Sequence, residues 1–141
     1  MALIEMGDFA GAVIKYIRHH TVAKLSICGG FGKISKLAAG HMDLNSRASS
    51  IDFAQLAQWA KERGADDALQ HKVRKSNTSI EAMELCCDQH IDLGNKICQQ
   101  ALTVVRARLP AATEVELFTV DRRGTFVGYA GDGLSPLSQT N

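Results

Sequence analysis

The sequence predicts an α/β domain in which a small sheet of at least three strands is covered by about five helices. Two patterns support this prediction. Apolar residues recur at helical spacing in about five segments, whereas one short apolar run near the start and two runs near the end have the length and bounds of strands. A chain of 141 residues with 45% hydrophobic and 22% charged residues fits one such domain.

The first predicted helix begins at Asp8, a good N-cap, and ends at residues 19–20. The histidine pair at that end suits the helix dipole, so we interpret it as surface rather than as a metal site. A strand follows at residues 25–28, because this apolar run is short and stops at two glycines. The glycine-rich stretch then leads into a helical turn or two that ends at Gly40.

Further helices are predicted to fill the middle of the chain. Ser49 or Ser50 caps a helix whose apolar face lies within residues 53–60, and Gly64 ends it. Helices are then predicted at about residues 65–73, 76–90 and 93–109, and Pro110 ends the last of them.

The end of the chain predicts a β-hairpin. Residues 114–117 alternate at period two, residues 121–124 supply turn residues and residues 125–129 return. We therefore predict one domain over residues 1–130 and a flexible tail at residues 131–141. Few strands under many helices leave an edge or a face in need of a partner, which predicts either dimerisation or a missing neighbouring segment.

The composition gives no reason to expect nucleic acid or a membrane as a partner. Lys and Arg number 16 against 15 for Asp and Glu. The apolar runs are too short to span a bilayer and the N-terminus does not resemble a signal peptide, so we expect a cytoplasmic protein. The four cysteines, Cys28, Cys86, Cys87 and Cys98, form no CxxC pair. We expect reduced thiols, with the adjacent pair filling core rather than binding a soft metal.

The stretch GGFGKISKLAAGHMD, residues 29–43, matches neither common phosphate-binding template. A P-loop requires a glycine five residues before the Gly-Lys pair and a hydroxyl residue after it, but Ile27 and Ile34 occupy those places. The dinucleotide fingerprint is weak because Ser35 stands where its third glycine belongs. Asp52 lies at the distance of a ribose-binding acid, yet we favour a role at the start of a helix.

Spacing supports two interpretations of this stretch equally. In the first, a strand, three glycines and a helix N-terminus bring backbone N–H groups close to an anionic ligand, with Lys33 and Lys36 nearby. In the second, the glycines only permit a tight turn from strand to helix, and both lysines point to water.

Longer motifs resemble one family. They are Gly-Asp-aromatic-x-Gly at residues 7–11, Gly-Lys-Ile-x-Lys-Leu-Ala-x-Gly at residues 32–40 and His-Met-Asp-Leu-x-Ser at residues 41–46. Together with Asn77 and Val-Asp-Arg at residues 120–122, they resemble the C-terminal part of the cobalt-precorrin-5B (C1)-methyltransferase family, CbiD, of the anaerobic cobalamin pathway. The resemblance extends to about Ala130.

This resemblance implies a transferase that moves a methyl group from S-adenosylmethionine to C1 of a cobalt-containing tetrapyrrole, giving cobalt-precorrin-6A. It implies no metal ligand in the protein, because the cobalt arrives inside the tetrapyrrole. The residues it implies for the methyl donor are Glu5, Asp8, Gly29, Gly30 and Gly32. The residues it implies for the substrate are Lys33, Lys36, His41, Asp43 and Ser46. A helix cap is the favoured role of Asp8, and the last three substrate residues are equally well explained as turn residues.

Two departures from the family pattern suggest an alternative function. Members of the family are much longer, so an N-terminal domain or a homo-oligomer partner is expected to complete the site. Asn45 stands where the family pattern has a histidine, and an amide cannot take up a proton at neutral pH. The alternative is a non-catalytic remnant or binding module that retains the fold, with or without affinity for the donor or a tetrapyrrole.

Overall fold

The computed structural model describes residues 2–5, 17, 20, 22–41 and 51–132. Within these residues the chain forms four strands and five helices. In chain order they are β1 (Ala2–Glu5), β2 (Lys24–Gly30), α1 (Phe31–Ala38), α2 (Phe53–Glu62), α3 (Asp67–Arg74), α4 (Ser79–Asp88), α5 (Leu93–Arg106), β3 (Glu114–Val120) and β4 (Phe126–Gly131). The predicted α/β class, the early strand and the C-terminal hairpin are confirmed.

The strands form one sheet in the order β1-β2-β3-β4. Strands β1, β2 and β3 run parallel, and β4 returns antiparallel to β3. All five described helices lie between β2 and β3 in the chain, which therefore forms one long crossover between neighbouring parallel strands. Strand β1 was not predicted, because its four residues show neither alternation nor flanking turn residues.

Helices α1 and α5 pack on one face of the sheet, and α2 and α4 pack against them from outside. The core between the sheet and these helices is apolar because alternate strand residues point into it. Leu25 and Ile27 of β2 and Val115 and Leu117 of β3 are all buried there, beside fully buried helix side chains such as Phe31.

Most predicted helix boundaries differ from the structure by a few residues. Gly40 and Gly64 do follow helix ends, with φ of +98° and +102° that favour glycine. The predicted cap of α2 at Ser49 or Ser50 is wrong. The Asp52 carboxylate caps this helix by accepting a hydrogen bond from the backbone N–H of Gln55 at 3.0 Å. The last helix ends at Arg106, before Pro110.

The two ends of the chain are only partly described. The helix predicted from Asp8 lies outside the described residues, except for Ile17, which is helical and buried. Of the predicted tail, Gly131 belongs to β4, and Asp132 binds both the Arg106 guanidinium at 2.6 Å and the Val115 N–H at 3.0 Å. The ordered domain therefore extends past Ala130, and residues 133–141 lie outside the described residues.

The four cysteines are free thiols. Cys86 and Cys98 are buried in the core, whereas Cys87 is exposed, so core filling explains one member of the adjacent pair and not the other. None of the helices in the described part of the chain is long and apolar enough to cross a membrane.

Candidate functional site at the carboxyl ends of β2 and β3

A cavity of about 470 Å³ opens where β2 and β3 end. Because these strands are parallel neighbours, their carboxyl ends meet at one edge of the sheet, and Gly30 pairs in register with Val120. Open α/β sheets commonly bind ligands at this edge. The lining residues are Cys28, Gly29, Gly30, Phe31, Gly32, Lys33, Ile80, Val120, Asp121 and Arg122.

Helix α1 starts directly at this cavity, with no loop between it and β2. Gly30 is its N-cap, has no side chain to cap the first turn, and is followed by no acidic residue in that turn. Gly30 thus supplies no side-chain cap to the first-turn N–H groups, and the positive end of the helix dipole lies at the cavity. This arrangement favours an anionic group of a ligand.

Two glycines in the stretch of residues 29–43, Gly30 and Gly32, have different surroundings. A Cβ placed on Gly30 would meet no atom of the described residues within 4 Å, and Gly30 is exposed. A Cβ placed on Gly32 would lie 2.9 Å from the Ser79 hydroxyl, at the start of α4. A side chain at position 32 would therefore require the Ser79 hydroxyl to move, whereas the described residues leave space for a ligand beside Gly30.

Charged residues reach the cavity from two elements. Lys33 lies in the first turn of α1, and Arg122 lies in the turn between β3 and β4. Asp121 also lines the cavity, but one of its carboxylate oxygens accepts backbone N–H bonds from Arg123 at 2.9 Å and Thr125 at 3.0 Å. Its carboxylate thus holds the hairpin turn together, which positions Arg122.

Of the other predicted substrate residues, Lys36 and His41 are described, and neither lines this cavity. Lys36 lies in the last turn of α1 and lines a small groove beside Trp59 of α2. His41 is exposed just beyond that helix, and its backbone N–H donates to the Lys36 carbonyl at 3.0 Å. Lys36 lies three residues beyond Lys33, a rise of about 4.5 Å along α1, and it lines the groove and not the cavity.

The predicted donor residues are only partly described. Glu5 ends β1 and pairs in register with Cys28, so its backbone lies at the same edge of the sheet as the cavity. Asp8, Asp43 and Ser46 lie outside the described residues. Asp52, the possible ribose ligand of the weak dinucleotide fingerprint, caps α2 instead.

Sequence reasoning did not find the contribution of the hairpin turn or of Ile80. From local spacing alone, residues 121–124 are predicted as turn residues, because that spacing does not show that β3 lies next to β2. The signal that was present is the Val-Asp-Arg motif at residues 120–122, all three of which line the cavity.

Comparison with known proteins identifies the family. Residues 43–131 match the family described as CbiD, C-terminal domain. The chain belongs to the CbiD family. Curated CbiD relatives named cobalt-precorrin-5B C(1)-methyltransferase include those of Pseudomonas savastanoi pv. phaseolicola, 56% identical over 135 residues, and Burkholderia lata, 60% identical over 130 residues. These alignments cover 96% and 92% of this chain.

The same alignments cover 36% of each relative. This CbiD chain therefore spans about a third of the length of the curated relatives it matches, and the matching family describes their C-terminal part. No solved structure matches the chain.

Proposed function

We propose that this chain is the C-terminal part of an enzyme that moves a methyl group from S-adenosylmethionine to C1 of cobalt-precorrin-5B, giving cobalt-precorrin-6A. The names of the relatives support the reaction class. The observation that carries the proposal for this chain is the cavity at the ends of β2 and β3, because it joins open backbone at Gly30 to positive charge from two elements.

Methyl transfer of this kind depends on positioning. The S–CH₃ bond of the donor breaks, a C–C bond forms at C1, and the electron pair of the broken bond returns to sulfur. The protein has to hold donor and carbon in line and to stabilise charge, and no side chain has to form a covalent bond. A cavity lined by backbone, apolar side chains, two cations and the Asp121 carboxylate, which accepts hydrogen bonds from the hairpin turn, suits this task.

Gly29 and Gly30 are the proposed contacts for the methyl donor. The open space beside Gly30 lets a ligand reach the backbone, and the uncapped first turn of α1 suits the carboxylate of the donor. The cavity volume lies within the range of about 300–1,000 Å³ that is typical of small-molecule sites. Glu5 is placed at the same edge by its strand, so its proposed donor role stays compatible with the fold.

Lys33 and Arg122 are the proposed contacts for peripheral carboxylates of the tetrapyrrole. Both cations lie on the lining of the cavity, and charge-assisted hydrogen bonds to carboxylates are among the stronger polar contacts in proteins. A role for Lys36 and His41 would require the substrate to extend along α1, away from the cavity. The roles of Asp8, Asp43 and Ser46 stay predictions.

The test uses the chain alone and a completed chimera, in which this chain replaces the matching third of the Pseudomonas savastanoi relative. Calorimetric titration with S-adenosylhomocysteine, the stable product of the donor, is expected to show binding that Gly30→Val abolishes. Valine fits the backbone of Gly30, with φ −64° and ψ 158°, and its side chain would fill the approach to the cavity.

A matched control is Gly30→Ser, which keeps a small residue at the N-cap. Binding that Gly30→Val leaves unchanged would place the donor elsewhere. Binding only in the chimera would mean that the donor pocket is shared with the rest of the relative's length. Absence of binding in both proteins would favour the non-catalytic remnant.

A further inference from the structure

Asp121 lines the cavity from the turn between β3 and β4, where hydrogen bonds within the turn hold it in place. Its Oδ1 atom accepts the N–H of Arg123 at 2.9 Å and that of Thr125 at 3.0 Å. Its own N–H donates to the Thr125 carbonyl at 3.0 Å, and its carbonyl accepts the Gly124 N–H at 3.1 Å. The hairpin itself therefore fixes the position of this carboxylate at the cavity.

The turn occupies one of the two carboxylate oxygens. Among the described residues, the hydrogen bonds to this carboxylate all end at Oδ1, and none of the ion pairs includes Asp121. A carboxylate offers about four lone-pair sites on its two oxygens, so Oδ2 keeps its capacity to accept a hydrogen bond. We infer that Oδ2 accepts a hydrogen bond from the α-ammonium group of the methyl donor. This inference rests on the proposed function, because it names the part of the donor that Asp121 binds.

The register of the sheet places Asp121 beside the proposed site of the donor carboxylate. Gly30 pairs with Val120, and neighbouring strands lie about 4.8 Å apart. Asp121 is the next residue after Val120, and the first turn of α1 begins directly after Gly30. The carboxylate and the ammonium group of an α-amino acid are bonded to the same carbon atom. A donor whose carboxylate lies at the first turn of α1 therefore holds its ammonium group within reach of the end of β3, where Asp121 supplies the opposite charge.

The charges that line the cavity match a zwitterion. The positive end of the α1 dipole, Lys33 and Arg122 favour carboxylates, whereas Asp121 favours a cation. A peripheral carboxylate of the tetrapyrrole would be repelled by Asp121, because like charges at close range raise the energy. An ammonium group is attracted, and its hydrogen bond to a carboxylate is charge-assisted.

The ribose of the donor is a poorer match for Asp121 than its ammonium group. A carboxylate binds the two neighbouring hydroxyl groups of a ribose when each hydroxyl donates to its own oxygen. Oδ1 already accepts two backbone N–H groups, so a ribose hydroxyl there would compete with the turn. An ammonium group needs Oδ2 alone, and its charge-assisted hydrogen bond is roughly twice as strong as a neutral one.

The test removes the charge of Asp121 and, separately, the ammonium group of the ligand. In Asp121→Asn the side-chain oxygen still accepts the two N–H groups of the turn, which directs the NH₂ group to the place of Oδ2, where it donates and does not accept. The ligands are S-adenosylhomocysteine and its deamino analogue, in which hydrogen replaces the ammonium group. Calorimetric titration measures both with the chain alone and with the completed chimera.

The parent is expected to bind S-adenosylhomocysteine about tenfold more tightly than the analogue, because the analogue lacks one charge-assisted contact. Asp121→Asn is expected to weaken binding of S-adenosylhomocysteine about tenfold and to leave binding of the analogue unchanged, so that the preference disappears. The midpoint of thermal unfolding of this variant is expected to stay within about 2 °C of the parent value, since both hydrogen bonds of the turn are kept.

Asp67→Asn is the matched control. It removes the same charge from an exposed position in the first turn of α3, and Asp67 does not line the cavity. Its affinities for both ligands are expected to equal those of the parent.

Three results would overturn the inference and leave the proposed function standing. The first is equal affinity of the parent for the two ligands, a comparison that needs no variant. The second is an equal loss of both ligands in Asp121→Asn, which would assign Asp121 to the shape of the turn. The third is a loss of S-adenosylmethionine but not of S-adenosylhomocysteine, which would place the sulfonium at Asp121. Absence of S-adenosylhomocysteine binding by both parent proteins would overturn the proposed function, and the inference with it.

Discussion

Gly30 and Gly32 lie two positions apart in the sequence but have different surroundings in the structure. The sequence supports equally an approach of a ligand to the backbone of these glycines and a tight turn from strand to helix. In the structure a Cβ at Gly30 would meet no atom of the described residues within 4 Å, whereas a Cβ at Gly32 would lie 2.9 Å from the Ser79 hydroxyl. A bulky substitution at Gly32 would therefore act first on the packing of α1 against α4, and a loss of ligand binding there would not by itself locate the ligand.

The two lysines of α1 allow a matched comparison. Lys33 lines the cavity and Lys36 lines a groove beside Trp59. Lys33→Gln is expected to weaken binding of the tetrapyrrole substrate about tenfold, because one charge-assisted contact to a carboxylate is lost. The same variant is expected to flatten the salt dependence of binding. Calorimetric titration of the completed chimera at several salt concentrations measures both effects.

Lys36→Gln is the control for this comparison, since it removes the same charge from a position of the same helix that does not line the cavity. Its binding and its salt dependence are expected to match those of the parent chimera. If the two variants weaken binding equally, the substrate carboxylates lie along α1 and not at the cavity.

The contact between α5 and β4 depends on two glycines that face each other. A Cβ on Gly94 would overlap the Val127 carbonyl, and a Cβ on Gly128 would overlap the backbone of Gly94. This close approach lets the Asn95 side-chain oxygen accept a hydrogen bond from the Tyr129 N–H at 2.7 Å. The helix and the edge of the hairpin are thus fixed to each other by backbone contact.

Gly94→Ala is therefore expected to lower the free energy of unfolding by about 3 kcal/mol or more, as severe overpacking does. Gly30→Ala is the matched control, because the added methyl group meets open space and the backbone φ is negative. Urea unfolding followed by circular dichroism measures both variants. Equal stability of the two variants would show that α5 shifts to accept the methyl group.

The sequence predicts those elements that are encoded locally. The helices within residues 53–106 and the hairpin follow from periodicity and turn residues, and Gly64 marks a helix end because its φ is positive. Strand β1 is missed because it depends on pairing with β2 and not on its own four residues. The cavity could not be predicted for the same reason. Arg122 and Lys33 line one cavity because β3 pairs with β2, and five helices separate these two strands in the chain.

At the scale of the whole molecule, the chain spans about a third of the length of its curated relatives, and the described helices α1 and α5 pack on one face of its sheet. The core between the sheet and helices α1 and α5 is nonetheless continuous and tightly buried. It contains the thiols of Cys86 and Cys98, and burial raises the pKa of Cys86 to about 11 and that of Cys98 to about 12. Both values lie above the ordinary thiol value of 9.0.

These raised pKa values predict how the stability of the fold depends on alkaline pH. In the unfolded chain the two thiols lose their protons as pH rises through about 9, whereas in the folded chain they keep them until pH reaches 11 to 12. Between these limits the folded state binds more protons, so the free energy of unfolding decreases as pH rises. Below pH 9 the contribution of the two protonated thiols to the free energy of unfolding is fully present. Urea unfolding between pH 8 and pH 10.5 is expected to show the start of its loss.

Other groups also ionise in this range, so the comparison that isolates the thiols is the double variant Cys86→Ala with Cys98→Ala. This variant is expected to be less stable at pH 8, because two core side chains are shortened. Its stability should nevertheless decrease less steeply above pH 9 than that of the parent, since no buried thiol is left to ionise on unfolding. If the free energy of unfolding decreases equally steeply in both proteins, ionisation of these two thiols is not the cause of the lost stability at high pH.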